Sequence, residues 1–336
     1  MSNYYLLLGT RFLFGAGEAG AFPNASIVVS RWFPSTQRAS MCGVLLMASQ
    51  IGGAIAPLLV VPIQIRYGWR ASFYVFGVVG ALWAVVWYAW FRDSPAEKPG
   101  VPAAELQEPE ARPEETARRF PWRIALRSES VLALAGTAFC YVYVYTFFQT
   151  WFHTFLVKGR GFSEGGLVLS ALPYAVAACA NLAGGAASDS LVRRLGLTWG
   201  RRSLGIFGLG SAGVLTIAAM VSQQPMLTVI LLSLVYGAIT LQQSGVFGVC
   251  LDLGSRHAGS MVGFMNMCAT AGGLLSSVAY GYIVERFGSY DAPFVPMAAL
   301  LIVGALLWFK IDASQEVSDD GATTIPHVLA AEPLQR

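Results

Sequence analysis

Nine apolar runs alternate with polar connections along the chain, at roughly 4–30, 38–62, 71–91, 129–153, 166–191, 203–222, 225–250, 259–284 and 292–310. Each is long enough for a helix to cross a hydrocarbon core of ~30 Å at ~1.5 Å per residue. All connections are short except 92–128, which is proline-rich and dense in Glu and Arg. The pattern predicts an all-α membrane protein with four parts. Residues 1–91 form a partial N-terminal bundle of three helices, and 92–128 a solvated linker. Residues 129–311 form a six-helix bundle, and 312–336 a polar, disordered tail.

Composition supports this division. The chain is 55% hydrophobic and 12% charged, about half the charge of a soluble domain. The net charge of +3 is too small to suggest a nucleic-acid partner. The first run carries Arg11 and Glu18 and is too long for the apolar core of a cleavable signal. Five cysteines (Cys42, Cys140, Cys179, Cys250, Cys268) stand singly in apolar segments, and no CxxC or Cys/His cluster occurs. They read as small buried hydrophobes, with no metal or cofactor implied.

The basic residues predict the orientation. If alternate connections lie on opposite sides, 16 of the 22 Lys and Arg fall on the side of the linker and C-terminus, and five on the other. Arg11 stays in the membrane. Positive charge marks the cytoplasmic side, so the expected location is a cell (inner) membrane, multi-pass, with the C-terminus inside. Nine spans then put the N-terminus outside.

An internal repeat bears on that oddity. A shift of 220 residues places 40–68 on 260–288 with nine identities in 29 positions. They are Ser40/Ser260, Met41/Met261, Gly43/Gly263, Met47/Met267, Gly52/Gly272, Gly53/Gly273, Ile63/Ile283, Arg66/Arg286 and Gly68/Gly288. Helices one to three therefore correspond to helices seven to nine. The expectation is a parent of twelve helices, six plus six, of which this chain carries nine, with its N-terminal half incomplete. If so, inward faces of the first three helices would meet lipid, and these residues alone would not transport. A misplaced start or a truncated gene is the expected origin.

The first run contains one costly feature. Arg11 and Glu18 sit in its middle, at ~2.5–3.5 kcal/mol each on the lenient insertion scale. Seven residues apart, they lie on one helix face, and Gly15, Ala16, Gly17, Ala19 and Gly20 surround Glu18. Such a pair either faces a polar cavity and functions, or is a structural ion pair.

After the fifth run comes Gly185-Ala-Ala-Ser-Asp189-Ser-Leu-Val-Arg193-Arg194-Leu-Gly196, then Arg201-Arg202. An acid at the helix end with bases in a tight loop makes a charge network that latches helices in one state. With the two-fold repeat, this resembles the major facilitator superfamily over nearly the whole chain. Finer motifs look like the anion:cation symporters: Arg11-x-x-x-Gly15-x-Gly17-Glu18-Ala19-x-x-x-Pro23, Trp32-Phe33-Pro34-x-x-x-Arg38 and Gly68-Trp69-Arg70-x-x-Phe73. Pro121-Trp122, Trp151-Phe152-x-Thr154-Phe155-Leu156 and Arg256-His257-Ala258-Gly259 with Asn266 also match. His153 and Ser276-Ser277 depart from the family's prolines.

The resemblance implies a major facilitator fold and proton-coupled uptake of a small organic anion, a sugar acid or aromatic carboxylate, by alternating access. It implies proton coupling at Glu18 and charge balance or anion binding at Arg11. Substrate-facing polar residues would be Gln50, Tyr141, Tyr145, Gln149, Ser244 and Asn266, each of which also reads as a helix–helix hydrogen-bonding residue. Gly185, Asp189, Arg193, Arg194, Arg201 and Arg202 would form the cytoplasmic gating motif. Asp252 reads as a partner of Arg256 or a helix cap. His153 and His257 read as interfacial packing residues, and Trp83, Trp87, Trp90, Phe147 and Phe148 as lipid-facing or interfacial anchors. No enzyme constellation is visible in the spans. The alternative is a non-transporting sensor or partner subunit.

Overall fold

The structure is a computed structural model that describes residues 4–33, 37–92, 120–162, 167–254, 257–318 and 321–324. The linker expected at 92–128 lies mostly outside these, as do Pro34, Arg256 and the last residues of the tail. The helices are α1 Tyr4–Glu18, α2 Ala21–Trp32, α3 Arg38–Tyr67, α4 Trp69–Trp90, the short α5 Trp122–Ala125, α6 Glu129–Thr150, the single turn α7 Phe152–Thr154, α8 Leu167–Leu195, α9 Leu197–Val221, α10 Pro225–Gly254, α11 Ala258–Phe287 and α12 Phe294–Leu307. Among the described residues, eight helical segments are long and apolar enough to cross a membrane, with α1 and α2 counted together. The ninth expected span is the shorter apolar helix Phe294–Lys310.

The first run breaks once, at Ala19–Gly20. Gly17 and Gly20 weaken the helix there, and Pro23 lacks the N–H that would bond the Ala19 carbonyl. The tail differs from the expected disorder: Gln315–Ser318 and Gly321–Thr324 pair as an antiparallel hairpin, β1 and β2.

Helices α6 and α8–α12 form a closed unit. Phe147 and Phe155 are buried where the end of α6 meets the start of α12, ringed by Phe152, Tyr280 and Phe294 at 5.2–6.0 Å between centroids. The N-terminal helices dock on this unit through α3, which lies along α8 and α10, and α2, which lies on α11. By contrast α1 buries none of its side chains, and α4 buries Ser72 alone. The repeat is visible in the backbone. The bounds of α3 and α11 differ by the same 220 residues as the sequence identities. Both helices stop at glycines with positive φ, Gly68 at 80° and Gly288 at 62°. A side chain would be strained there, which explains why both copies carry glycine.

Candidate functional site

A polar cluster sits in the middle of the helices, where α3 meets the six-helix unit. Gln50 of α3 is 3% exposed. Its Nε2 donates to the Tyr145 hydroxyl of α6 (3.1 Å), and its Oε1 accepts from the Tyr236 hydroxyl of α10 (3.3 Å). Tyr236 is enclosed by rings: Phe148 at 4.6 Å, Tyr145 at 5.1 Å and Tyr174 at 5.6 Å. The Tyr174 hydroxyl donates to the Phe148 carbonyl (3.3 Å). An amide in an apolar interface needs partners for its nitrogen and its oxygen, and the two tyrosines supply them.

The other expected substrate residues are distributed differently. Tyr141 is buried on the same helix as Tyr145, one turn earlier. Ser244 is fully buried, and its hydroxyl donates to the Asn181 carbonyl of α8 (3.1 Å), a helix–helix bond. Gln149 is exposed and Asn266 half-buried. No hydrogen bond among the described residues ties either to the Gln50 cluster. Asn181 and Gln242 also stand out, as fully buried amides without partners among the described residues.

The second site is a charged network at one end of α3, α8, α9 and α10. Asp189 is 1% exposed at the end of α8. Its Oδ2 accepts from the backbone N–H of Ser40 (2.8 Å) and from the Ser40 hydroxyl (2.7 Å). Ser40 is the third residue of α3, whose first N–H groups have no partner within the helix, so a carboxylate there meets free donors and the positive end of the dipole. Asp189 Oδ1 accepts from Arg201 Nη1 at 3.2 Å. The same nitrogen donates to Ser188 Oγ at 2.7 Å, and Arg201 Nε donates to Asp252 Oδ2 at 3.1 Å. Both acids and the arginine are buried, so removing one partner strands a charge. Gly185 allows the approach: a Cβ on it would lie 2.6 Å from the Ala39 carbonyl and 2.9 Å from Ser40 Cα.

Three expectations are corrected. Arg193 and Arg194 are exposed, outside the network. They follow Asp189 by about one turn, at the exposed end of α8, whereas Arg201 lies in the second turn of α9 and is buried. Arg202 serves elsewhere, donating through Nε to the Ile311 carbonyl (2.6 Å) and lying over Trp199. Asp252 pairs with Arg201 of the preceding helix, because α9 and α10 pack side by side; its expected partner Arg256 lies outside the described residues. Phe147 and Phe148 are buried, since α6 packs against α10, α11 and α12, while Trp83, Trp87 and Trp90 are exposed as expected. Cys179 is exposed and Cys268 partly so, while Cys42, Cys140 and Cys250 are buried. His153 Nδ1 lies 2.9 Å from Ser170 Oγ, and the His257 ring packs edge-on against Phe120.

The expected coupling pair is not a pair in this chain. Arg11 and Glu18 are both exposed on α1, and no ion pair joins them among the described residues. The Arg11 guanidinium lies over Phe73 of α4, 5.5 Å from the ring centroid. One face of α1 therefore gathers both charges, and α1 buries none of its side chains.

The sequence reading missed Ser40, Tyr236 and Tyr174. A tyrosine in an apolar run looks like any large hydrophobe. Ser40 carried one signal, its identity with Ser260 in the repeat.

The chain aligns over 96% of its length with a Cupriavidus necator protein named as a probable sulfoacetate transporter, with 33% identity across 77% of that protein. A hexuronate transporter of Bacillus subtilis is 30% identical over 90% of the chain and 72% of its own length. An ascorbate transporter of Arabidopsis thaliana chloroplasts is 30% identical over 93% of the chain, which spans 58% of that protein. Residues 1–277 match the Major Facilitator Superfamily.

Proposed function

The chain belongs to the Major Facilitator Superfamily, and from that premise we propose that it moves a small organic anion across a membrane by alternating access. It is a multi-pass membrane transporter rather than an enzyme. The observation that carries the proposal is the Gln50–Tyr145–Tyr236 cluster, where a helix of one repeat and two helices of the other meet on buried hydrogen-bonding groups. Relatives named for sulfoacetate, hexuronate and ascorbate transport favour an anionic substrate. Sugar acids, sulfonates and other carboxylates are the class we assign.

Tyr145 and Gln50 would contact the substrate, with Tyr141, Gln149 and Asn266 as lesser contributors. Ser244 is better accounted for as a helix–helix bond. The Asp189–Ser40–Arg201–Asp252 network would hold one end of the carrier shut, the cytoplasmic end on the charge distribution of the connections. Protons would couple at Glu18, with Arg11 balancing its charge.

The test is uptake of labelled sulfoacetate or glucuronate into proteoliposomes under an inward proton gradient. The transport reading requires proton-driven uptake, against the expectation from the sequence that these residues alone would not transport, and Glu18→Gln should lose the gradient dependence. Uptake of neither probe rejects transport of this class, and equal gradient dependence in the variant rejects the coupling role.

A further inference from the structure

The hydrogen bonds of the polar cluster have a direction. Tyr236 donates to Gln50, and Gln50 donates to Tyr145. The amide enforces this order, because its oxygen only accepts and its nitrogen only donates. Tyr145 Oη is thus occupied as an acceptor, and its own O–H is the last donor in the series. The Tyr236 ring lies beside that of Tyr145, 5.1 Å between centroids. Exposure separates the three residues. Gln50 is 3% exposed and Tyr236 fully buried, whereas Tyr145 is only partly covered. Tyr145 is therefore the one member of the three with surface left open to a guest molecule. Bonds in series polarise one another, and a donor that is itself receiving a hydrogen bond is a stronger donor. It suits an acceptor carrying negative charge. The titratable groups around Gln50 are Tyr145 on α6 and Tyr236 on α10, with Tyr174 of α8 behind Tyr236.

We propose that Gln50 and Tyr236 are positioning residues that aim the Tyr145 O–H at one oxygen of the transported anion. This rests on the organic-anion reading above and adds Tyr236, which makes no direct contact in this scheme. It also changes the part played by Gln50, from binding the anion itself to setting the direction of the donor that does.

Gln50→Glu separates this role from a structural one. A protonated carboxyl offers one donor and one acceptor, as the amide does. An ionised carboxylate accepts from both tyrosines, takes the Tyr145 proton for itself and adds like charge beside the anion. Binding of sulfoacetate and of glucuronate would be measured by calorimetry on the full chain in nanodiscs, from pH 5 to pH 9, as the ratio of variant to unsubstituted protein. The ratio should lie within about threefold of one at low pH and fall by about 30-fold or more at high pH, the size of one lost charge-assisted hydrogen bond. Tyr236→Phe keeps the ring stack but frees the amide to rotate, and should weaken binding about fivefold to tenfold without a pH-dependent ratio. A flat ratio for Gln50→Glu, or full affinity in Tyr236→Phe, overturns the relay while leaving anion binding intact. Failure of the unsubstituted protein to bind either probe overturns the anion reading and the relay with it.

Discussion

Replacing Asp189 by Asn probes the contact that presses α3 against α8. The carboxylate accepts two hydrogen bonds from Ser40, at 2.8 and 2.7 Å, and one from Arg201 at 3.2 Å. Hydrogen bonds to a charged group contribute about 1.5–3 kcal/mol each. Asparagine keeps one accepting oxygen without the charge, so the α3 contact should lose about 2–3 kcal/mol. Arg201 keeps Asp252 and Ser188, so the perturbation falls mainly on α3. If the contact defines a closed state, the population with α3 released should rise about 30- to 150-fold, at tenfold per ~1.4 kcal/mol. Cys42 reports this population. It lies two residues beyond Ser40 on α3 and is 2% exposed. With Cys140, Cys179, Cys250 and Cys268 replaced, alkylation of Cys42 by N-ethylmaleimide should track the released fraction, provided opening is fast relative to labelling. Ser40→Ala removes the hydroxyl bond and leaves the backbone N–H bond, and should speed labelling about tenfold. Labelling rates within twofold of the unsubstituted protein for both variants would refute the latch.

Two further outcomes follow from the geometry. Gly185→Ala puts a methyl 2.6 Å from the Ala39 carbonyl, so α3 must shift. Cys42 labelling should accelerate and the melting temperature drop, and an unchanged melting temperature would show that the two helices are not held at this distance. At the same end, burial raises the pKa of Asp312, but hydrogen bonds from Ser314 and Thr198 and the charge of Arg202 outweigh it and hold the carboxyl below its ordinary 3.8. A group depressed on folding stabilises the protein above its unfolded pKa, and that stability disappears as pH falls through the folded value. Melting curves should therefore fall more steeply below pH ~4 for the parent than for Asp312→Asn, and parallel curves would exclude the contribution.

Most of the architecture is written along the chain. Nine apolar runs mark the helices because hydrocarbon rejects unpaired backbone and charge, a constraint that each segment meets alone. The 220-residue repeat anticipates that α3 and α11 share bounds and positive-φ glycine ends, since the same cap chemistry recurs in both copies. Motif residues Asp189 and Arg201 are likewise legible, because buried charge is rare enough to be conspicuous. Tertiary structure decided the rest. Lipid tails are as apolar as a helix interface, so periodicity cannot tell a lipid-facing ring such as Trp83 from a core ring such as Phe147. Nor does spacing say which bases reach an acid. Arg193 and Arg194 lie nearer to Asp189 in sequence, yet Arg201 binds it because α9 packs beside α8 and α10. Ser40 and Tyr236 gain their significance only from the far side of an interface, Ser40 as the acceptor's donor pair and Tyr236 as the start of a directed chain. The partners of a hydrogen bond are a property of packed helices, and a linear pattern of hydropathy carries no record of them.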